Sequence, residues 1–491
     1  MLTTNVMYQK ISKELAKFPN DSLKTRVRII EIASNREDIF DPSPEFATAF
    51  QVLLRSEKIT CLASGKSFEE LPPPCLAIID PFAGYAVDAI RAAEGDRIPI
   101  YLWRTSPAGS ILRHNGPPEL GGRESLSAVT TSIAESDARN LSIEPSQIPG
   151  APPMFEYEWT PQKACCLTSD GILVRALPHT TTPIKFTQSV ASPPNILQNT
   201  WKEAQRVLAI TDGVLNVSSS FYEPDAIRAA QHWYSSMGKA WYTVGPLFFP
   251  RGQQAGAEFE KIQEIEFLDK MKALFGVHSV IYISFGTVPW QTLPDKIWMV
   301  IDELIRDRTP FILARPSKLS HLPDEQKAKI KDSGIGLELR WADQEAILSH
   351  PATGWFISHG GWNSIQESFV HKVPCIFWPF EADQPYNAAM ITLNYRAGFE
   401  LLSVRHEGSR QPFRCKESPE EQSFTAEAVR QEVKDLLVKI KADEGRVVRA
   451  NAEKLSLEMS RSWEEGQGSF NNLQELLRRF VDESTVSWPT L

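Results

Sequence analysis

Between positions 341 and 384 the chain crowds groups able to hold a phosphorylated, hydroxyl-rich ligand. His359, Gly360 and Gly361 stand between an apolar, strand-like run over 354–358 and a helical pattern that opens at Trp362. Two glycines let a ligand approach the backbone closely, and the first turn of a helix carries unpaired N–H groups at the positive end of its dipole. Such a place suits phosphate. His359 adds a donor, and Asn363 and Ser364 fall in the opening turn. Glu367, one turn past Ser364 on the same face, offers an acceptor to sugar hydroxyls. Asp383 and Gln384 come after the next apolar run, 374–378, at the end of the sheet where ligands bind in such folds. A carboxylate beside an amide supplies the acceptors and donors that a polyol needs. Trp341, after the run 336–340, can stack on a planar base.

Each residue also has a plain reading. His359 can be a turn residue, Trp341 a core indole and Asp383–Gln384 a solvated pair. Their order within one 44-residue window favours a site. His350, His359, His371 and Cys375 show neither an i, i+4 His pair nor CxxC, so no metal site is expected. A serine hydrolase needs G-x-S-x-G, which is absent. A dinucleotide oxidoreductase needs G-x-G-x-x-G after a strand, also absent, since Gly334 and Gly336 lead into Leu339.

The elements that must position these groups read as two α/β halves. In the first, 26–32 alternates like a strand, 45–57 is helical with Phe46, Ala49, Phe50 and Leu53 on one face, and 76–79 is a strand ending at Asp80. A helix over 85–93, a strand over 98–103, a helix over 200–211 and a strand over 213–217 complete this half. Strand–helix alternation implies parallel pairing. Residues 104–200, broken by Gly and Pro, read as loops and short helices on the open side of the sheet, with Trp103, Met154, Phe155, Tyr157 and Trp159 suited to an apolar ligand or to the core. A polar, Gly-rich linker covers 251–258. The alternation then restarts: strands over 280–285 and 311–314, a helix over 296–307 between them, then the site window. Thr425 caps a helix buried through Val429, Val433, Leu436, Leu437 and Ile440, and Gly468–Ser469 opens a terminal helix. The expected division is 1–250, 259–465 and a terminal helix in 466–491 packing back on the first half.

Composition bounds the function. With 491 residues, 42% hydrophobic and 23% charged, the chain suits a globular fold of more than one domain. A net charge of −9 argues against an electrostatic nucleic-acid binder. No apolar run reaches transmembrane length and no signal peptide is seen. Six scattered cysteines fit a reducing compartment, so a cytoplasmic location is expected; a monomer is the expected form.

The window Trp341, Ala342, Asp343, Gln344, His350, Gly354, His359, Gly361, Trp362, Asn363, Ser364, Glu367, Val373, Pro374, Trp378, Pro379, Asp383 and Gln384 resembles, without a gap, the donor-binding signature of UDP-dependent glycosyltransferases that modify small lipophilic molecules. Residues 280–287, 215–221 and 242–247 extend the similarity. Asp343, Gly360 and Lys372 depart from plant members, which usually show Pro, often Cys, and Gly there.

The resemblance implies an α/β GT-B fold, two Rossmann-like domains facing across a cleft. It implies that Trp341 and Ala342 receive uracil, that Gln344 contacts the nucleoside and that Glu367 holds the ribose. Thr287, His359, Asn363 and Ser364 would hold the diphosphate, Asp383 and Gln384 would read the sugar, and Gly361 and Trp362 would be further donor-binding residues. It implies a UDP-sugar donor, glucose or else xylose, a terpenoid or polyphenol-like acceptor, inversion, and no metal or other cofactor. The family's base is a His after the first strand, oriented by an Asp matched here by Asp80. No matching His is present; His114 is the least remote substitute. Positions 2–5 match the segment just after the family's second strand. The expectations are therefore that Met1 is not the natural start or that this is a truncated product, that the N-terminal sheet is split for want of its first strand, and that the chain binds UDP-sugar with slow or no transfer.

Overall fold

The computed structural model describes residues 1–16, 26–33, 43–122, 145–155, 158–159, 161, 195–247, 263–286, 294–317, 320–405 and 423–480. The first half runs β1 (Leu2–Thr4), α1 (Asn5–Ala16), β2 (Ile30–Ala33), α2 (Ser43–Leu54), β3 (Ile59–Thr60), β4 (Ser67–Phe68), β5 (Ala77–Ile79), α3 (Gly84–Glu94), β6 (Ile100–Arg104), α4 (Ala108–Asn115), α5 (Asn195–Ile210), β7 (Gly213–Asn216), α6 (Pro224–Ser236) and β8 (Ala240–Thr243). The second runs α7 (Gln263–Phe275), β9 (Val280–Ser284), α8 (Pro294–Arg306), β10 (Phe311–Ala314), α9 (Asp324–Asp332), β11 (Gly336–Leu339), α10 (Gln344–Ser349), β12 (Thr353–Ser358), α11 (Trp362–Val370), β13 (Cys375–Phe377), α12 (Gln384–Ala389), β14 (Gly398–Glu400), α13 (Ala426–Lys441), α14 (Asp443–Ser460) and α15 (Gly468–Arg478).

Two parallel sheets carry the fold. The second half forms a six-stranded sheet in the order β11-β10-β9-β12-β13-β14, and the first a four-stranded sheet in the order β5-β6-β7-β8. Every residue of β9 is buried, and the reason lies in its two covered faces. Val280 and Tyr282 pack with Leu268, Met271 and Phe356, while Ile281 and Ile283 pack with Ile297, Ile301 and Leu304 of α8. A strand covered on both faces reads as an unbroken apolar run, as 280–283 does.

The strands β1 and β2 pair in parallel as a sheet of their own, and β3 and β4 form an antiparallel hairpin. Both pairs lie apart from the four-stranded sheet. Phe46 and Phe50 of α2 pack into the core with Ala86, Val87 and Ile90 of α3, and so hold the strand pair to the larger sheet.

The terminal helix α15 lies on the N-terminal sheet. Leu476 joins Tyr101, Leu215, Tyr242 and Val244 in one cluster, and Asn472 Oδ1 accepts from Thr243 N at 3.1 Å. Trp103 packs with this same cluster, on the sheet face that α15 covers. Met154 and Trp159 are core residues, and Tyr157 lies outside the described residues, as does the linker 251–258. Of the two roles open to them, Trp103, Met154 and Trp159 thus take part in packing.

Candidate functional site

The candidate site forms where β9, β11, β12 and β13 end. Trp341 comes directly after β11 and is 68% exposed, so it is an accessible indole and not part of the core. Ala342 packs against the core beside it. Asp343 caps α10, its Oδ1 accepting from Ala346 N at 3.1 Å, which gives a local purpose to the residue standing where plant members have Pro. The cap sets the start of α10 and with it Gln344. Gln344 is held at both ends: Tyr282 donates its hydroxyl to Oε1 at 3.1 Å, and Nε2 donates to Glu367 Oε2 at 2.6 Å. The nucleoside and ribose candidates thus touch, although they lie 23 residues apart.

At the end of β12, Ser358 Oγ accepts from Gly360 N at 3.1 Å, and Gly360 adopts φ +85°, a conformation that favours glycine. A Cβ there would lie 3.0 Å from the Phe377 ring. Gly361 caps α11, and a Cβ on it would meet His359 Nε2 at 2.5 Å. The His359 ring is therefore packed against backbone that only glycine permits. Its Nδ1 is buried without a hydrogen-bond partner among the described residues, and burial pushes its pKa down to about 4. Asn363 is exposed and Ser364 partly so in the opening turn. Thr287 lies outside the described residues.

Asp383 and Gln384 sit beside this helix start. Asp383 Oδ2 accepts from Trp362 N at 2.9 Å and from Asn387 Nδ2 at 3.0 Å, and Asn387 Nδ2 also donates to Gly360 O at 2.9 Å. Burial lifts the Asp383 carboxyl to about 6, against these bonds and the charge of Arg104. Gln384 is buried, its Oε1 accepting from Phe380 N at 2.8 Å and Glu381 N at 3.2 Å. The described window residues thus follow the ends of the parallel strands β11, β12 and β13 of one sheet, in two bonded groups: Gln344 with Glu367, and Asp383 with the start of α11.

The N-terminal half contributes less of what was sought. Asp80 stands just past β5 and accepts from Phe82 N through Oδ1 at 2.9 Å, the turn-forming role. It is open to solvent, yet flanked closely enough by protein that its carboxyl stands above the ordinary value, with Arg104 acting against the rise. His114 bonds within its own helix, Nδ1 lying 2.8 Å from Ser110 O, and packs edge-on to Trp159 at 6.3 Å. Its Nδ1 is thus engaged with the backbone of its own helix.

Sequence reasoning missed what joins the halves. Trp362, inside the window, donates through Nε1 to Val217 O in the N-terminal half. Buried Glu223 accepts from Ala108 N at 2.5 Å, Gly109 N at 2.9 Å and the Tyr386 hydroxyl at 2.9 Å, tying α4 to α12. The one signal was an acid placed just before Pro224.

Comparison with known proteins agrees with this geometry. Residues 260–406 match the family model "UDP-glucoronosyl and UDP-glucosyl transferase". UDP-glycosyltransferase eriJ of Hericium erinaceus is 28% identical over 330 residues, 65% of this chain and 59% of that protein. UDP-glycosyltransferase 73B3 of Arabidopsis thaliana is 32% identical over 278 residues, 54% and 53% of the two chains. The chain thus spans between half and three-fifths of these relatives' lengths. In fold it is similar to a ugt transferase from Siraitia grosvenorii in complex with UDP, with a TM-score of 0.61 at 21% identity over 92% of this chain and 90% of that one. It is also similar to Phytolacca americana UGT2 complexed with UDP-2fluoro-glucose and pterostilbene, with a TM-score of 0.58 at 20% identity over 91% and 86%.

Proposed function

We propose, for a chain that belongs to the UDP-dependent glycosyltransferases of the GT-B fold, that it transfers a sugar from a UDP-sugar to a small-molecule acceptor. The observation that carries this reading is the convergence of Trp341, the Gln344–Glu367 pair, His359 and Asp383–Gln384 along one edge of the six-stranded sheet. Trp341 covers the uracil, Gln344 and Glu367 meet the nucleoside and ribose, and the start of α11 with His359 receives the diphosphate. Asp383 and Gln384 then face the sugar. Preorganised N–H donors stabilise the charge that develops on departing UDP, so no metal is required by this reading. Glucose is the favoured sugar, with transfer by inversion to a lipophilic acceptor and a cytoplasmic monomer as the working form.

Calorimetric titration with UDP and UDP-glucose, then turnover with a panel of hydroxylated acceptors in EDTA, tests the reading. Saturable UDP binding lost in Glu367→Ala supports it; a wild type that ignores UDP refutes it.

A second reading is a UDP-sugar-binding protein without transfer. It is favoured by Asp80, whose Oδ1 is committed to the backbone N–H of Phe82 in a turn. UDP-glucose binding without turnover on any acceptor would select it.

A further inference from the structure

Arg104 ends β6 on the face that carries Ile100 and Leu102 into the N-terminal core, and its side chain is buried. Among the described residues it makes one side-chain hydrogen bond, Nη2 donating to Asn115 Oδ1 at 3.1 Å. Its Nε is enclosed without a partner there, and no carboxylate of the described residues forms an ion pair with it. A guanidinium carries five donors and keeps its proton, so burying one on a single amide is costly.

The groups around it are short of partners as well. Asn115 Nδ2, Asn216 Oδ1 and the Tyr234 hydroxyl are buried and unbonded among the described residues. Asn216 stands opposite Arg104 in the β6–β7 ladder, and Tyr234 lies within reach of the arginine's charge. Asp80 and Asp383 are the acids whose charge reaches Arg104, and each has an oxygen committed to a backbone N–H, of Phe82 and of Trp362. They also locate the cluster, between the end of β5 and the sugar-facing end of the second domain.

The geometry points to a carboxylate-binding site, with Arg104 as the cationic partner and Asn115 and Tyr234 as further donors. This rests on the transfer reaction proposed above and adds its substrate class: one of the two reacting molecules is an acid. The carboxylate belongs either to the acceptor or to C6 of a uronic-acid donor. In the first case the acid is already the nucleophile. A carboxylate oxygen bonds to the anomeric carbon, the bond from that carbon to the β-phosphate oxygen breaks, and its electron pair leaves with UDP. No proton has to be removed, so no base beside Asp80 is called for. In the second case the carboxylate anchors the sugar and takes no part in bond making.

The test compares rates for benzoic acids and their matched benzyl alcohols under UDP-glucose, and for one neutral acceptor under UDP-glucuronate and UDP-glucose. The wild type, Arg104→Met and the milder Tyr234→Phe are compared, with UDP binding measured calorimetrically in each. The wild type should prefer the acid in one arm. Arg104→Met should lower kcat/KM for that acid on the order of 100-fold more than for its neutral counterpart, and Tyr234→Phe should do so by about tenfold. In the UDP-bound wild type, added benzoate or bound UDP-glucuronate should raise the melting temperature more than the neutral analogue does, and Tyr234→Phe should lose most of that gain. The melting shift decides the matter if Arg104→Met does not fold or if nothing turns over. Equal losses for acid and neutral substrates, or a wild type with neither acid preference nor acid-dependent melting shift, overturn the inference. A wild type that fails to bind UDP instead overturns the transfer reading.

Discussion

At the residue scale, His359 and Asp383 give the site an unusual pH response. The His359 pKa is about 4 in the folded chain against 6.5 for the free side chain. The unfolded chain therefore takes the proton first, and the stability linked to neutral His359 is full above pH 6.5 and lost as pH falls toward 4. Asp383 works in the opposite sense, with a folded pKa of about 6 against 3.8. Its contribution is full below 3.8 and is lost as pH rises through 6. Because the slopes oppose one another between 4 and 6, a variant must be compared with the wild type. We predict that His359→Gln unfolds with about 2–3 kcal/mol less acid-side loss between pH 7 and 4.5 than the wild type. Urea midpoints at the two pH values measure this, and parallel curves would contradict it. Trp341 makes a complementary case. Its exposure predicts that Trp341→Ala changes folding stability by less than about 0.5 kcal/mol. Loss of base stacking should nonetheless weaken UDP binding by about tenfold or more, read by calorimetry. The sequence could not choose between a core and a stacking Trp341, because exposure depends on what packs above the strand end.

At the element scale, two departures from the plant pattern have local meaning. Lys372 adopts φ +55°, a left-handed conformation that costs a residue bearing Cβ. Lys372→Gly should therefore stabilise the chain by about 0.5–1 kcal/mol, the relief of strain outweighing the added freedom of the unfolded chain. Asp343→Ala removes the cap of α10 and should cost about 1 kcal/mol. Thermal melts of the two variants should shift in opposite directions. Helices with a strong apolar stripe were legible: Thr425 does cap α13, with Val429, Val433, Leu436 and Leu437 buried. The helix α4 was not legible as such. Its first N–H groups are met by Glu223, which lies 115 and 114 residues away, and Gly109 is small because a Cβ would strike the Tyr386 ring. Nothing near 108–115 announces a cap supplied from so far along the chain. The long helix α14 was also missed, its buried face being spread among Gly445, Val448, Ala452, Leu455, Ser456 and Met459.

At the scale of the whole molecule, contacts between distant parts of the chain set its stability. Leu476 belongs to the last helix by sequence, yet it fills the cluster on the N-terminal sheet. Leu476→Ala should cost about 2–5 kcal/mol, lowering the denaturant midpoint while leaving UDP affinity intact. Between the halves, Tyr386 donates to the buried Glu223 carboxylate, and Tyr222 packs 4.8 Å from Trp362. Loss of that hydroxyl in Tyr386→Phe removes a charge-assisted bond and should cost about 1.5–3 kcal/mol, measured by calorimetric unfolding. A change within error would mean that the Tyr386–Glu223 bond adds nothing to the joining of the two halves.

From its residues alone, the chain specified two parallel α/β halves and the string of groups between Trp341 and Gln384, because strand periodicity, glycine at the helix start and acceptor chemistry are local properties. Only the tertiary structure decided that Trp341 is accessible, that Asp80 holds the backbone of Phe82, and that Arg104 is enclosed with unbonded polar neighbours. Exposure, electrostatic neighbours and satisfaction of hydrogen bonds are set by how separate elements pack together, and no single element's sequence contains them.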